Sequence, residues 1–164
     1  MIKTLHVKTA HFFIFSFIVL CLSACASSPT GRSQLILVSD AQMDQMGRDA
    51  FADMKQSETP QKSGRNITYV RCIADAILRS DNRDPNAWEV QVFDNQTPNA
   101  FALPGKKIGV HVGMIKLAKT ADQLAAVIGH EIGHVDARHG AERASLSMTS
   151  QLAQQVTAVA LNGQ

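Results

Sequence analysis

What this 164-residue sequence has little of narrows the reading first. Its one long apolar run, Phe12 to Leu22, is interrupted by Ser16 and falls short of the roughly 20 apolar residues that a spanning helix needs. That run therefore reads as the core of an export signal. No basic stripe interleaved with aromatics occurs, so nothing in the chain asks for nucleic acid. The small excess of positive charge, 16 basic against 14 acidic residues, comes from Lys3 and Lys8 in the signal; without them the balance is neutral. Of three cysteines, Cys21 falls within the signal and Cys25 closes it, which leaves Cys72 alone. A single thiol is either a small buried hydrophobe or half of a disulfide whose partner lies outside this chain. No internal repeat is evident.

Lys3 and Lys8 in front, the apolar core behind them, and Leu22-Ser23-Ala24-Cys25 at the end form a three-part pattern. It resembles the lipobox of bacterial lipoproteins, which implies cleavage before Cys25 and a diacylglycerol carried on its thiol. Ala26, in place of an aspartate, further implies sorting to the outer membrane with the protein facing the periplasm. Each buried methylene of an acyl chain adds about 0.8 kcal/mol, so several chains on one cysteine hold a domain firmly. The expected organisation is a signal over 1–24, a lipidated cysteine and tether over 25–38, and a partial catalytic domain over 39–164. From Cys25 onward 140 residues remain, enough for one real core.

Beyond the tether, Ser39 and Gln42 form a capping box, and Met43, Met46, Ala50, Phe51 and Met54 come after it at helical spacing, which predicts a first helix with a Met-rich buried stripe. Glu58 to Gly64 reads as a polar loop. A second helix is predicted from about Asn66 to Ser80, with Val70, Ile73, Ile77 and Leu78 on its apolar face. The period then changes. Trp88, Val90 and Val92 alternate with Glu89 and Gln91 as in a half-exposed strand. After a polar stretch, Asp94 to Asn99, and a turn at Pro104-Gly105, Lys107 to His111 reads as a second strand whose Gly109 marks close approach. A short apolar segment, Met114 to Leu117, precedes a third long helix opened by Thr120 and Gln123, and Arg138 to Leu161 has helical composition. The fold class is thus α+β, mostly helical, with a small antiparallel sheet.

The third long helix carries His130-Glu131-Ile132-Gly133-His134. Histidines four apart stand one turn above another on one face, where both can reach a zinc ion at about 2.0–2.1 Å. Glu131 can meet a water there without ligating, which suits it to be a general base. Leu124, Val127, Ile128, Ile132 and Val135 make the helix apolar enough to be buried on its other side. On an unbroken helix His139 lies about 140° around from His134, and so is not expected to ligate. Arg138 and His139 are expected to support the ligands or pack the helix. The long metzincin pattern needs a histidine where this chain has Gly140.

Taken together, Asn99-Ala-Phe-Ala-Leu-Pro-Gly-Lys-Lys-Ile-Gly-Val-His-Val-Gly-Met-Ile115, then His130-Glu-Ile-Gly-His134, then Ala137-Arg-His139 resemble the gluzincin family of the CAAX prenyl proteases, mitochondrial Oma and the periplasmic BepA and LoiP lipoproteins. The resemblance covers about residues 40 to 145. It implies a zincin-like domain in which His130 and His134 bind one Zn2+ with Glu131 as base. Asn99, Ala100 and Phe101 would shape the cleft wall, and the strand with Gly109, Val110 and His111 would pair with extended substrate. Lys106 stands where the family usually has a second glycine. The resemblance also implies a third zinc ligand, a glutamate beyond Gln164, so the domain reads as truncated at its C-terminus. The activity implied is hydrolysis of peptide bonds in misfolded or misassembled periplasmic and outer-membrane proteins. The alternative is a catalytically weak or inactive lipoprotein that binds proteins or assists their assembly.

Overall fold

The computed structural model describes residues 25–27 and 31–162. The signal expected over 1–24 and the acylated thiol expected at Cys25 lie outside what it describes. Two compact units divide these residues, one of 39–140 and one that joins the residues up to Val38 with those from Ala141 onward. No helix among the described residues is long and apolar enough to cross a membrane.

In the smaller unit, strands β1 (Cys25–Ser27) and β2 (Ser33–Leu35) pair antiparallel. Part of the stretch read as tether is thus a strand. Composition could not reveal this, because the stretch is held by distant groups: Glu142 accepts from Arg32 at 2.5 Å and from Gln34 at 3.3 Å, and the Leu37 amide donates to Ser145 Oγ at 2.8 Å.

The larger unit opens with α1 (Asp40–Ser57). Ser39 Oγ accepts from the Gln42 amide at 3.3 Å while Gln42 Oε1 accepts from the Ser39 amide at 3.0 Å, which is the capping box expected. The buried row is Met43, Gly47 and Phe51; Met46 and Ala50, expected inside, are exposed. α2 (Arg65–Ser80) buries Val70, Ile73, Ala74 and Leu78, with Ile77 half-buried. A 3-10 turn at Pro85–Ala87 then leads to β3 (Glu89–Phe93), β4 (Ala100–Leu103) and β5 (Lys107–His111). Helices α3 (Val112–Leu117) and α4 (Ala121–Asp136) come next, and α5 (His139–Asn162) begins after a two-residue break.

The α+β class holds, but the sheet is mixed. Its order is β3-β5-β4, with β3 parallel and β4 antiparallel to β5. The reason lies in loop 94–99, which arches over the C-terminal end of β5 to enter β4 on the far side. The arch is fixed by hydrogen bonds from the His111 amide to Asn99 O and from the Gly113 amide to Asn95 O, both 2.9 Å. β4 then returns through Pro104–Lys106 as a hairpin. In that turn Gly105 and Lys106 both take positive φ, 77° and 63°. Lys106 therefore adopts the left-handed backbone that a glycine would take without steric cost.

Alternation sorts the sheet into two faces. Val92, Ile108, Val110 and Ala100 join Val70, Leu78, Leu124, Ile128 and Ile132 in one buried cluster with α2 and α4. On the other face Phe93 and Phe101 meet Phe51 of α1, with ring centroids 6.1–6.3 Å apart. Gly109 is small because the Phe101 ring lies over it: a Cβ there would come within 2.1 Å of Phe101 Cζ. The close approach expected at this glycine is thus made by a ring.

Candidate metal centre

α4 starts where Thr120 Oγ1 accepts from the Gln123 amide at 3.2 Å. Gln123 Oε1 accepts from the Lys119 amide at 2.7 Å, not from the cap itself, so only half of a capping box forms. Leu124, Ile128 and Ile132, four residues apart, are buried against the sheet, and that row fixes the rotation of the helix. His130 and His134 consequently stand on a different side of the helix, His130 exposed and His134 half-buried. Their ring centroids are 4.4 Å apart with planes at 75°.

One ligand atom each from His130, Glu131 and His134 can be chosen so that all three lie within 4.8 Å of one another. Two imidazole nitrogens so placed fit a divalent zinc ion in the chemistry of their donors, with the Glu131 carboxylate close enough to meet a water there. Among the described residues no other His, Cys, Asp or Glu joins this cluster.

Beyond His134 the chain departs from a continuous helix. Arg138 takes φ +56° and α5 begins at His139. The reversal returns His139 to His134, with Nδ1 to Nδ1 at 2.7 Å and ring centroids 4.9 Å apart. The break is held from two sides. Arg138 pairs with Asp40 at the start of α1. Arg83 donates to Asp136 at 2.6 Å and to Asp81 at 2.5 Å, with its guanidinium 5.8 Å from the Trp88 ring centroid. The hydrogen bond to Asp136 raises the Arg83 guanidinium above its ordinary value, against a lowering by burial and with further help from Asp81. Asp40, Arg83 and Asp136 support the site without any local pattern that marks them, since the paired residues are 98 and 53 positions apart.

The residues expected to line a substrate cleft separate. Gly109, Val110 and His111 belong to β5, which has a strand on each side and so cannot receive another. Val110 is buried on the α4 face. His111 is buried on the opposite face, near Phe93 and Phe101 at centroid distances of 6.0 and 6.2 Å. Its Nδ1 lies 3.3 Å from the Thr97 carbonyl, and its Nε2 lies 3.2 Å from Glu58 Oε2, an ion-pair separation without hydrogen-bond alignment. The side chain of Phe101 points to that same inner face. Asn99 is exposed and Ala100 buried.

The terminal strand beside α4 is β4. The hydrogen bond between the His111 amide and Asn99 O sets the alternation, so Phe101 and Leu103 turn their amide and carbonyl groups to β5. Ala100 and Ala102 turn theirs outward, where no strand among the described residues pairs with them. The outer edge of β3 is engaged at its C-terminal end: the Gln61 amide donates to Val92 O and the Asp94 amide to Thr59 O, both at 2.8 Å. Cys72, whose residue type is compatible with two roles, is exposed and free.

A buried helix presenting His-Glu-x-x-His beside a small mixed sheet is a zinc-metallopeptidase-like arrangement. The profile of peptidase family M48 matches residues 65–164, and the chain belongs to that family. It is 41% identical over 75 residues to the mitochondrial metalloendopeptidase OMA1 of Schizosaccharomyces pombe, covering 46% of this chain and 22% of that protein. To OMA1 of Arabidopsis thaliana it is 36% identical over 107 residues, 64% of this chain and 22% of the relative. The beta-barrel assembly-enhancing protease of Yersinia pestis is 27% identical over 71 residues, 43% of this chain and 15% of its own length. The chain thus spans 22% or less of the length of these relatives.

Proposed function

We propose that this chain carries the catalytic helix of a zinc-dependent endopeptidase of the cell envelope, acting on misfolded or misassembled periplasmic and outer-membrane proteins. The observation that carries the reading is the convergence of His130, Glu131 and His134 within 4.8 Å. Membership of a peptidase family supports the reaction class. The name of the Yersinia pestis relative, a beta-barrel assembly-enhancing protease, supports the choice of substrates. Cys25 at the end of a lipobox-like signal supports an outer-membrane anchor facing the periplasm.

His130 and His134 would hold the ion, and a third protein ligand would come from beyond Gln164 in a longer gene product. Zinc in this position supplies Lewis-acid polarisation of a water and of the scissile carbonyl. The Glu131 carboxylate takes the proton of the attacking water and passes it to the departing amine. Extended substrate pairs with the outward backbone groups of Ala100 and Ala102, and such main-chain pairing tolerates many side-chain sequences. That role moves from β5, where the resemblance suggested it, to β4. Casein cleavage by the full-length gene product tests the reading: a chelator should abolish it and zinc restore it. Cleavage that persists under chelation would sink the proposal.

A second reading, a lipoprotein that binds or helps assemble other proteins without hydrolysing them, draws on one observation. Among the described residues the cluster offers only two ligands once Glu131 serves as base. Zinc content per purified chain separates the two, since a metal-free protein favours binding alone.

A further inference from the structure

The contact between His134 and His139 goes one step beyond the proposed metal site and rests on that reading. Five residues along an unbroken helix would carry His139 about 140° away from His134. Here the chain is turned back by Arg138, a non-glycine residue at φ +56°, a conformation that persists only where the surroundings hold it. The surroundings do hold it: Arg138 is paired with Asp40, and Asp136 is gripped by Arg83. The outcome of this turn is an imidazole nitrogen placed 2.7 Å from Nδ1 of His134.

Two imidazole nitrogens at that distance need one hydrogen between them, so one ring donates and the other accepts. If His139 donates, the hydrogen of neutral His134 sits on Nε2 and closes that atom to a metal. If His134 donates, its Nε2 keeps a free lone pair. Isolated imidazole side chains favour hydrogen on Nε2, the wrong form for ligation through that atom. We infer that His139 is a positioning residue whose Nδ1 accepts the hydrogen of His134 Nδ1, and so holds Nε2 of His134 open for zinc. This is the task that partners of ligating histidines commonly perform.

The test uses the full chain, labelled with 15N-histidine and stripped of metal, at mildly alkaline pH. Long-range 1H–15N spectra should find the His134 hydrogen on Nδ1. His139→Leu should move it to Nε2, and His139→Gln, whose side-chain carbonyl can accept, should keep it on Nδ1. Competition with a chromophoric chelator should then give zinc binding weakened about 10–100-fold in His139→Leu and largely restored in His139→Gln. Melting followed by the single tryptophan, Trp88, should leave both variants folded. A parent protein with the His134 hydrogen on Nε2, or a His139→Leu variant that binds zinc as tightly as the parent, would overturn the inference. The tautomer is read without metal, so a parent that binds no zinc defeats the functional proposal while the spectra still decide this one.

Discussion

Two histidine environments lie on opposite faces of one small sheet, and they differ in what their nitrogens meet. His111 sits in the core with an acceptor at each nitrogen, the Thr97 carbonyl and the Glu58 carboxylate, inside a cluster of three phenylalanines. Both ring nitrogens face acceptors within the core, and neither is open to an incoming ligand. His130 is exposed and His134 is half-buried against His139, and each offers a nitrogen within 4.8 Å of a Glu131 carboxylate oxygen. Burial and partner identity, not residue type, therefore divide structural from chemical histidines. The same sheet builds both: its inner strand end buries His111, and its other face fixes the rotation of α4.

Glu131→Gln puts this division to its hardest trial. Hydrolysis of casein by the full-length product is expected to fall about 10^2–10^4-fold with zinc content retained. Undiminished turnover would remove the chemical half of the contrast. Next in size, His111→Leu should cost about 1–3 kcal/mol in urea unfolding followed by Trp88 fluorescence, because it takes a polar partner from the Thr97 carbonyl and leaves the Glu58 carboxylate with Asn95 alone. His130→Ala should leave the metal-free stability nearly unchanged and abolish tight zinc binding. An equal stability loss in the two variants would erase the distinction.

A pair of glycines probes the same two faces on a smaller scale. Gly109→Ala forces a methyl into the Phe101 ring and should destabilise the chain by about 1–3 kcal/mol. Gly129, on α4 beside His130, has nothing within 4 Å of an added Cβ, so Gly129→Ala should stabilise it by about 0.5–1 kcal/mol. Thermal melts of the two variants shifting in the same direction would contradict the packing described.

The smallest effect concerns acid. Burial pushes the Glu89 carboxyl up, but hydrogen bonds from Lys107 at 2.8 Å and Lys55 at 2.6 Å outweigh it and hold the group below the ordinary carboxylate range. A depressed folded value means that the stabilisation is complete above the unfolded value and is lost as pH falls through the folded one. Glu89→Gln should therefore flatten the acid limb of a stability-versus-pH curve. The carboxylate is partly exposed, so the change should be small and should shrink further in high salt.

Much of the frame can be read from the chain itself, because its signals are local. Ser39 with Gln42, the apolar row on α2, the alternation from Trp88 to Val92 and the spacing of His130 and His134 all express short-range periodicities. The remainder depends on distant partners. Ala100–Leu103 is a four-residue strand with alanines on its outward-turned positions, too short and too weakly alternating to stand out from the turn after it. The parallel pairing of β3 with β5 is decided by how loop 94–99 crosses the strand end, and the orientation of His111 by Glu58, 53 residues earlier. Met46 lies outside because the buried row of α1 runs through Gly47, a residue that hydrophobic counting passes over. The return of His139 requires a left-handed Arg138, which no residue preference announces.

Closure of one flank of the sheet by Thr59–Gln61 has a consequence for self-association. A ribbon that grows without limit needs a vacancy at both ends of every unit; among the described residues of this three-stranded sheet, the bridge at Phe93 obstructs the β3 side, and the freer berth runs along Ala100 and Ala102. Two copies joined there would occupy both of those berths and leave only the obstructed β3 sides, which disfavours further growth of this sheet.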